Sequence, residues 1–576
     1  MKKDFAHLRD SRSIRWETLL LAGLLIVTFI PFLSETLFTT KGEPREAVVA
    51  VSMLGQGNWI LPVSFGTDMP YKPPMLAWCI AFLGWLNGGV VTEFLSRLPS
   101  AVAAVAMILL TFRFFARRTS VEVAFGAALI TAGSFEVFRA ATICRVDMLL
   151  TFFLVASLYA LYRQWEKHPA GTWAPSLAGA LLMSGAVLTK GPVGMLLPCM
   201  VLFVFRMLHG ERFWQTAVSL ALSGLLSLII PALWYIEAFR QGGNEFLDLV
   251  LEENFGRFTG SMSYGSHEHG ILYNFTSLLS GFAPFTLLLL ISLFGKPWRG
   301  VAFRWRGAGW LSRICNTDPV KLFSWLAAIV ILLFYCIPKS KRSVYLLPMY
   351  PFMGYLMAVY AQRLGRIAPR TLRAFGWVLA SLGALASVAL LLIMTGIVAP
   401  FGSGSTKVMI ETLVGEGHRL LPPAMCYLTL IGAVILAMVL ARRSPRVVAI
   451  GSFSYPLVIY WMVQAAALPA SMNMKSDKVI AAGIERLTDR SEPIYSFRYG
   501  KMDRFYTVNY YLGDRLLRFD AEFPSDGLLL IAPHDLPSFS TNIAPGYTFT
   551  PFASLGRSGE VKADLALYRF ERKKIN

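Results

Sequence analysis

Long apolar runs separated by short polar stretches recur along the chain as far as about residue 470. Runs close to the roughly twenty residues that a helix needs to cross a bilayer occur near 17–37, 96–115, 120–141, 146–163, 175–190, 192–208, 215–238, 272–295, 320–338, 344–362, 373–398, 422–441 and 446–468. They predict about thirteen membrane crossings. Met75–Leu86 is shorter, follows Pro73-Pro74 and stops at Asn87-Gly88-Gly89, so it predicts a helix that does not span. Beyond about residue 471 short apolar stretches such as Gly527–Ala532 and Leu565–Phe570 alternate with polar turns, the pattern of a small α/β domain. The expected fold is therefore a polytopic α-helical membrane domain over 1–471 with a soluble α/β domain over 472–576. No internal repeat is visible.

Charge sets the expected topology. Arg117-Arg118, Arg163/Lys167, Arg206/Arg212, Lys296 to Arg313, Arg363/Arg366/Arg370 and Arg442/Arg443/Arg446 follow or precede spans, and the positive-inside rule assigns all of them to the cytoplasm. Thirteen or so crossings satisfy every cluster, with the N-terminus inside and the C-terminal domain outside; one more crossing would invert the later loops. The outer loops are then 38–95 and 239–271, with shorter connections at 142–146, 190–191, 339–343 and 399–421. Composition agrees, at 55% hydrophobic and 15% charged residues against the roughly 25% charge of soluble domains. The net charge of +19 reports topology before it reports any nucleic-acid partner. Six cysteines lack Cys-x-x-Cys spacing and predict neither a disulfide framework nor a zinc knuckle.

The informative charges are those on the outer side, where topology gives no reason for them. Glu43-Pro44-Arg45-Glu46 follows the first run and opens an amphipathic stretch; it reads either as a polar site at the membrane surface or as an ordinary acidic helix start. Tyr71-Lys72-Pro73-Pro74 sets a lysine at the lip of an apolar segment. Pro338-Lys339-Ser340-Lys341-Arg342 puts three cations on a short outer loop, against the positive-inside rule, and points to an anionic ligand such as phosphate. The 239–271 loop holds Glu252-Glu253-Asn254 and His267-Glu268-His269, the latter either a zinc site or solvated loop residues. Arg145-Val146-Asp147 opens a helix, where capping is the simpler role of the aspartate. Together these groups describe an outward-facing site for a lipid-linked phosphate.

In order and placement the segments Glu43-Pro44-Arg45-Glu46-Ala47 with Gly57-Asn58-Trp59, Tyr71-Lys72-Pro73-Pro74, Arg145-Val146-Asp147, Leu188-Thr189-Lys190-Gly191, Glu253-Asn254 to Arg257, and Lys339 to Pro348 resemble a known family. The chain is similar to bacterial C-type (GT-C) glycosyltransferases of the group that includes protein O-mannosyltransferases and the aminoarabinose transferases of lipid A. Relatives often carry Asp-Glu where this chain has Gly42-Glu43. Aminoarabinose transferases tend to have an acidic residue and a histidine where Tyr71 and Asn254 stand, so no metal ligand is assigned, and a divalent ion stays open as a cofactor.

The resemblance implies an inverting transfer of a sugar from a polyprenyl phosphate to an acceptor hydroxyl or phosphate, on lipid A, a protein or another glycan, at the outer face of the bacterial inner membrane. Glu43, Glu46 and Asp147 are the expected catalytic carboxylates, with Glu43 the general base. Arg45, Lys72, Arg257, Lys339, Lys341 and Arg342 are expected around the donor phosphate, and Tyr71, Lys190, Asn254 and Tyr345 along the substrate. The alternative from another class is a transporter or flippase for a lipid-linked substrate. Inverted repeats and midplane charges usually mark that class.

Overall fold

The computed structural model describes residues 11–256, 268–294, 317–398, 400–500 and 502–573. The first half of the chain is almost continuously helical: α1 (Ser11–Phe29), α2 (Pro44–Gln56), α3 (Met75–Leu86), α4 (Glu93–Ala116), α5 (Val121–Gly133), α6 (Phe135–Ala141), α7 (Val146–Lys167), α8 (Leu177–Lys190), α9 (Val193–Leu208), α10 (Phe213–Ser227) and α11 (Ile229–Leu251). Long helices at Pro319–Cys336, Tyr350–Ile367, Pro369–Met394, Leu421–Arg442 and Pro445–Met462 complete a bundle. Local chemistry sets several of the ends. Thr92 caps α4 by accepting the Leu95 N–H at 3.3 Å, and Gly57 closes α2 in the left-handed region at φ +66°, where a Cβ would be strained.

Among the described residues eight helices are long and apolar enough to cross a membrane, or up to ten if each of two bent pairs counts as one span. The chain is a multi-pass membrane protein, but the count of about thirteen is not reached. The apolar runs at 175–190 and 192–208 form α8 and α9, of 14 and 16 residues, short of a straight crossing. The run at 120–141 bends by 66° between α5 and α6, because Ser134 leaves helical geometry. Met75–Leu86 is a helix of 12 residues, too short to span. The expected outer loop at 239–271 begins as helix, since α11 continues to Leu251.

Of the basic clusters, those among the described residues lie at one end of the bundle, where Arg446 pairs with Glu122 at 3.1 Å and Arg118 Nε donates to Glu166 at 2.7 Å; Lys296 to Arg313 lie outside the described residues. Phe114 stacks on Tyr159 and Phe115 on Tyr355 in the apolar interior nearby.

The C-terminal region forms a sheet of five strands: β1 (Ile494–Ser496), β2 (Leu516–Arg518), β3 (Asp526–Ile531), β4 (Tyr547–Arg557) and β5 (Asp564–Arg572). Their order is β2-β1-β3-β5-β4; β1 is parallel to β2 and β3, and β5 is antiparallel to β3 and β4. One face packs on Ile480 and Ile484 of the Lys478–Leu487 helix, the other on Phe519 and Phe539. The first face also buries Phe65, which arrives from the connection between α2 and α3 and meets Tyr506 edge-on at 5.5 Å.

The sheet region is thus anchored to the segment that follows α1. Asp514 accepts hydrogen bonds from Ser52 Oγ (2.5 Å), the Phe65 N–H (3.0 Å) and Asn509 Nδ2 (2.7 Å). Asp68 receives Arg504 at 2.7 Å and Arg518 at 2.9 Å.

Candidate active site

The end of the bundle opposite the basic clusters gathers the N-termini of α2, α4 and α7, the C-terminus of α8 and the short loop before Ser343–Met349. Each arrives there for a local reason. Pro44 occupies the first turn of α2, where its missing N–H costs nothing. Gly191 ends α8 at φ +78°, and a Cβ there would come within 2.5 Å of Asn254 Oδ1.

A narrow cleft among these elements is lined by Gly42, Arg45, Glu46, Lys72, Arg145, Val146, Asp147, Lys190, Arg342 and Tyr345. Five cations face two carboxylates, a surplus of three positive charges. Lys190 Nζ pairs with Asp147 at 2.5 Å and sits 4.1 Å from the centre of the Tyr345 ring. Lys72 donates to Glu46 Oε1, and Arg45 approaches the same oxygen at 3.7 Å. Burial alone would raise the Glu46 carboxyl, but Lys72 and then Arg45 hold it below the ordinary carboxylate range. Burial pulls the Lys72 ammonium below its usual value, with Glu46 opposing. Glu46 is therefore an ionised, almost buried carboxylate at neutral pH.

A second cavity of about 580 Å³ adjoins the cleft and shares Arg45, Glu46 and Lys72 with it. It lies under the sheet region. One wall carries Glu245, Asp248 and Glu252, and another Arg498, Arg504 and Arg518 with Phe497, Tyr499 and Tyr506. Tyr71 lines this chamber, its ring 5.1 Å from the Arg45 guanidinium.

The residues expected from the sequence divide between these spaces and their surroundings. Arg45, Glu46, Lys72, Asp147, Lys190, Arg342 and Tyr345 meet in the cleft, and Tyr71 stands beside it in the chamber. Glu43 lines neither cavity. Its two oxygens accept Arg97 Nε at 2.8 Å and Arg97 Nη2 at 3.1 Å, and Oε1 also takes the Cys144 N–H at 2.9 Å. Lys341 is buried and donates to the Pro338 carbonyl of its own loop at 2.5 Å, whereas Lys339 is exposed. Neither lines the cleft, so Arg342 is the one cation of that loop to do so. Asn254 donates to the Val250 carbonyl at 2.8 Å and packs against Gly191, next to Lys190 rather than in the cleft. Arg257 and His267 lie outside the described residues. His269 stacks on Tyr273 at 4.1 Å, and among the described residues no three His, Cys, Asp or Glu side chains converge as metal ligands.

Two further arginines at this site, Arg97 and Arg145, carry weaker signals in the sequence. Arg97 stands alone in an apolar run, and an unaccompanied charge at such a position is itself a signal. Arg145 precedes Asp147 at the start of α7, and its position alone gives it no separate role. Its guanidinium lies 2.1 Å from where a Cβ on Gly42 would sit, so glycine at 42 makes room for it. The contribution of the sheet region to the chamber, through Arg498, Arg504 and Tyr506, needs contacts far apart in sequence.

Known proteins resemble this chain in sequence and in fold. Residues 71–235 match the family described as dolichyl-phosphate-mannose-protein mannosyltransferase. An undecaprenyl phosphate-alpha-4-amino-4-deoxy-L-arabinose arabinosyl transferase from Edwardsiella ictaluri is 28% identical over 392 residues, covering 66% of this chain and 66% of the relative. The chain thus spans about two thirds of that relative's length. The protein of the same description from Yersinia enterocolitica is 22% identical over 521 residues, 85% of this chain and 87% of the relative. The crystal structure of ArnT from Cupriavidus metallidurans bound to undecaprenyl phosphate superposes with a TM-score of 0.69 at 19% identity, over 97% of this chain and 98% of that one.

Proposed function

We propose, for a chain that groups with the GT-C polyprenyl-phosphate-sugar glycosyltransferases of the aminoarabinose and mannosyl transferase group, that it transfers a sugar from a polyprenyl phosphate to an acceptor at the outer face of the bacterial inner membrane. The observation that carries this reading is the cleft with its surplus of three positive charges, joined through Glu46 to a chamber large enough for an acceptor. A phosphate held by Lys72, Arg145, Lys190 and Arg342 is stabilised as it departs, because charge-assisted donors fixed in place need little reorganisation. The names of the relatives favour 4-amino-4-deoxy-L-arabinose carried on undecaprenyl phosphate as donor; a lipid A-type glycolipid is the acceptor that the sequence resemblance implies.

Glu46, rather than Glu43, takes the role of general base. Glu43 has both oxygens committed to Arg97, and the position where relatives often carry aspartate is Gly42, beside the Arg145 guanidinium. Glu46 alone of the two lines both cavities. An acceptor hydroxyl in the chamber gives its proton to Glu46 as its oxygen attacks the anomeric carbon; the bond from that carbon to the phosphate oxygen breaks, and the polyprenyl phosphate leaves with the bonding pair. A single displacement inverts the sugar. Donor binding also sharpens the base. A phosphate that draws Lys72 toward itself removes the main charge holding Glu46 down, and the carboxylate becomes more basic where it is needed.

The test uses purified full-length protein in detergent with undecaprenyl phosphate-linked 4-amino-4-deoxy-L-arabinose and lipid A. Mass spectrometry should find the acceptor heavier by one sugar residue. Translocation of the donor across proteoliposomes with no glycosylated product would support the transporter reading instead.

A further inference from the structure

At the opposite end of the bundle, a groove of about 630 Å³ opens between α4, α7 and the start of α8. It lies well away from the carboxylate site. From Arg97 to Arg113 along α4, and from Asp147 to Arg163 along α7, the separation is about 24 Å at the rise of an α-helix. The walls of the groove are apolar, formed by Leu109, Leu110, Phe152, Ala156 and Leu182. Its rim carries four arginines: Arg113, Arg117, Arg118 and Arg163.

Ordinary positive-inside bias explains arginines at this end, but not their convergence on one groove or their pairing. Arg118 is satisfied, bonded to Glu166 and packed over the Phe114 ring at 3.9 Å. Arg113, Arg117 and Arg163 are exposed and have no ion-pair partner among the described residues. Three uncompensated guanidiniums thus sit where an apolar slot meets the membrane surface. Guanidinium matches the oxygens of a phosphate bidentately, and basic pockets between membrane helices on the cytoplasmic side suit anionic lipid headgroups.

We propose that this groove binds an anionic glycerophospholipid of the cytoplasmic leaflet, with its phosphate on Arg113, Arg117 and Arg163 and one acyl chain along Leu109, Leu110 and Phe152. The occupant follows from charge and shape together. A zwitterionic lipid brings its own cation to the rim, and a soluble anion leaves the apolar wall uncovered. The site is separate from sugar transfer and stands or falls independently of it.

Native mass spectrometry of the full-length protein, released from detergent with added phosphatidylglycerol or phosphatidylcholine, tests the assignment. The unsubstituted protein should retain phosphatidylglycerol about tenfold over phosphatidylcholine. The Arg113→Ala, Arg117→Ala, Arg163→Ala triple variant should lose the preference, while Lys at the same three positions should keep most of it. Ala178→Trp, which fills the groove and leaves the arginines in place, should also lose it and serves if the triple variant fails to fold. Equal retention of the two lipids by the unsubstituted protein, or an undiminished preference in the triple-alanine and Ala178→Trp variants, overturns the proposal. Displacement of most of the phosphatidylglycerol by an equal concentration of undecaprenyl phosphate also overturns it, by assigning the groove to the polyprenyl carrier.

Discussion

Arg97→Ala probes the link between the outer segment and the bundle more sharply than any other single change. The Arg97 side chain is 1% exposed and four of its five N–H donors are placed: Nε and Nη2 on Glu43, and Nη1 on the carbonyls of Leu33 at 2.7 Å and Thr36 at 2.6 Å. It also lies 5.1 Å from the centre of the Phe38 ring. Truncation leaves the Glu43 carboxylate with the Cys144 N–H as its remaining hydrogen-bond donor among the described residues. Removing one partner of a buried ion pair costs about 3–5 kcal/mol. Each carbonyl left unsatisfied adds about 1–3 kcal/mol, but water admitted to the vacated space recovers most of that. The expected loss is therefore about 4 kcal/mol. Adding Glu43→Gln to Arg97→Ala removes the orphaned charge, so the double variant should be more stable than the sum of the singles by about 2 kcal/mol. Reversible SDS unfolding followed by tryptophan fluorescence measures all four proteins of the cycle. A loss under about 1 kcal/mol for Arg97→Ala, or additivity within about 0.5 kcal/mol, refutes the reading of Glu43 as a buried structural anchor.

Three further outcomes follow from the same contacts. Lys72→Met removes the chief charge that depresses Glu46, so the acid limb of the kcat/KM profile should move to higher pH; an unmoved limb contradicts the pairing. Asp514→Ala deletes the acceptor of two hydrogen bonds that tie the sheet region to Ser52 of α2 and to Phe65 of the α2–α3 connection, and of a third from Asn509 within the region itself; about 2 kcal/mol of lost docking should speed limited proteolysis within 472–576, and an unchanged cleavage rate would count against that docking. Burial pushes the Glu560 carboxyl, which accepts the Thr507 N–H at 2.8 Å, up to about 7 from an ordinary 4.5. Below pH 4.5 both folded and unfolded states are protonated there; as pH rises from 4.5 through 7 the unfolded state alone ionises freely, so stability falls by at most about 3 kcal/mol and then levels. Glu560→Gln should flatten that fall in a thermal melt series, and an identical slope in both proteins rejects it.

The spans were legible because lipid demands long apolar helices, and few other structures satisfy their own backbone there. Their number was not, since a break of one residue inside an apolar run leaves no mark on composition. Ser134 turns one such run by 66°, and a start at Val193 makes α9 short. The outer charges stood out because topology did not require them, and Arg45, Glu46, Lys72, Asp147, Lys190 and Arg342 do share a cleft. What the sequence left open was direction. Glu43 and Glu46 belong to the same helix start, and which one faces the cavity depends on Arg97, 54 positions away. Lys341 and Arg342 are neighbours, yet one turns back onto its own loop and the other lines the cleft. Such choices are set by packing between distant segments, to which local periodicity is blind.

In the proposed reaction Glu46 takes the acceptor's proton while Glu43 holds the scaffold. Single-turnover transfer by Glu46→Gln and Glu43→Gln, with donor binding measured on the same preparations, separates the two roles. Glu46→Gln should slow transfer about 10²–10⁴-fold with little change in donor affinity, whereas Glu43→Gln should lose stability but keep most of its turnover per folded molecule. Near-normal transfer by Glu46→Gln, or its collapse in a folded Glu43→Gln protein, would contradict this division of roles.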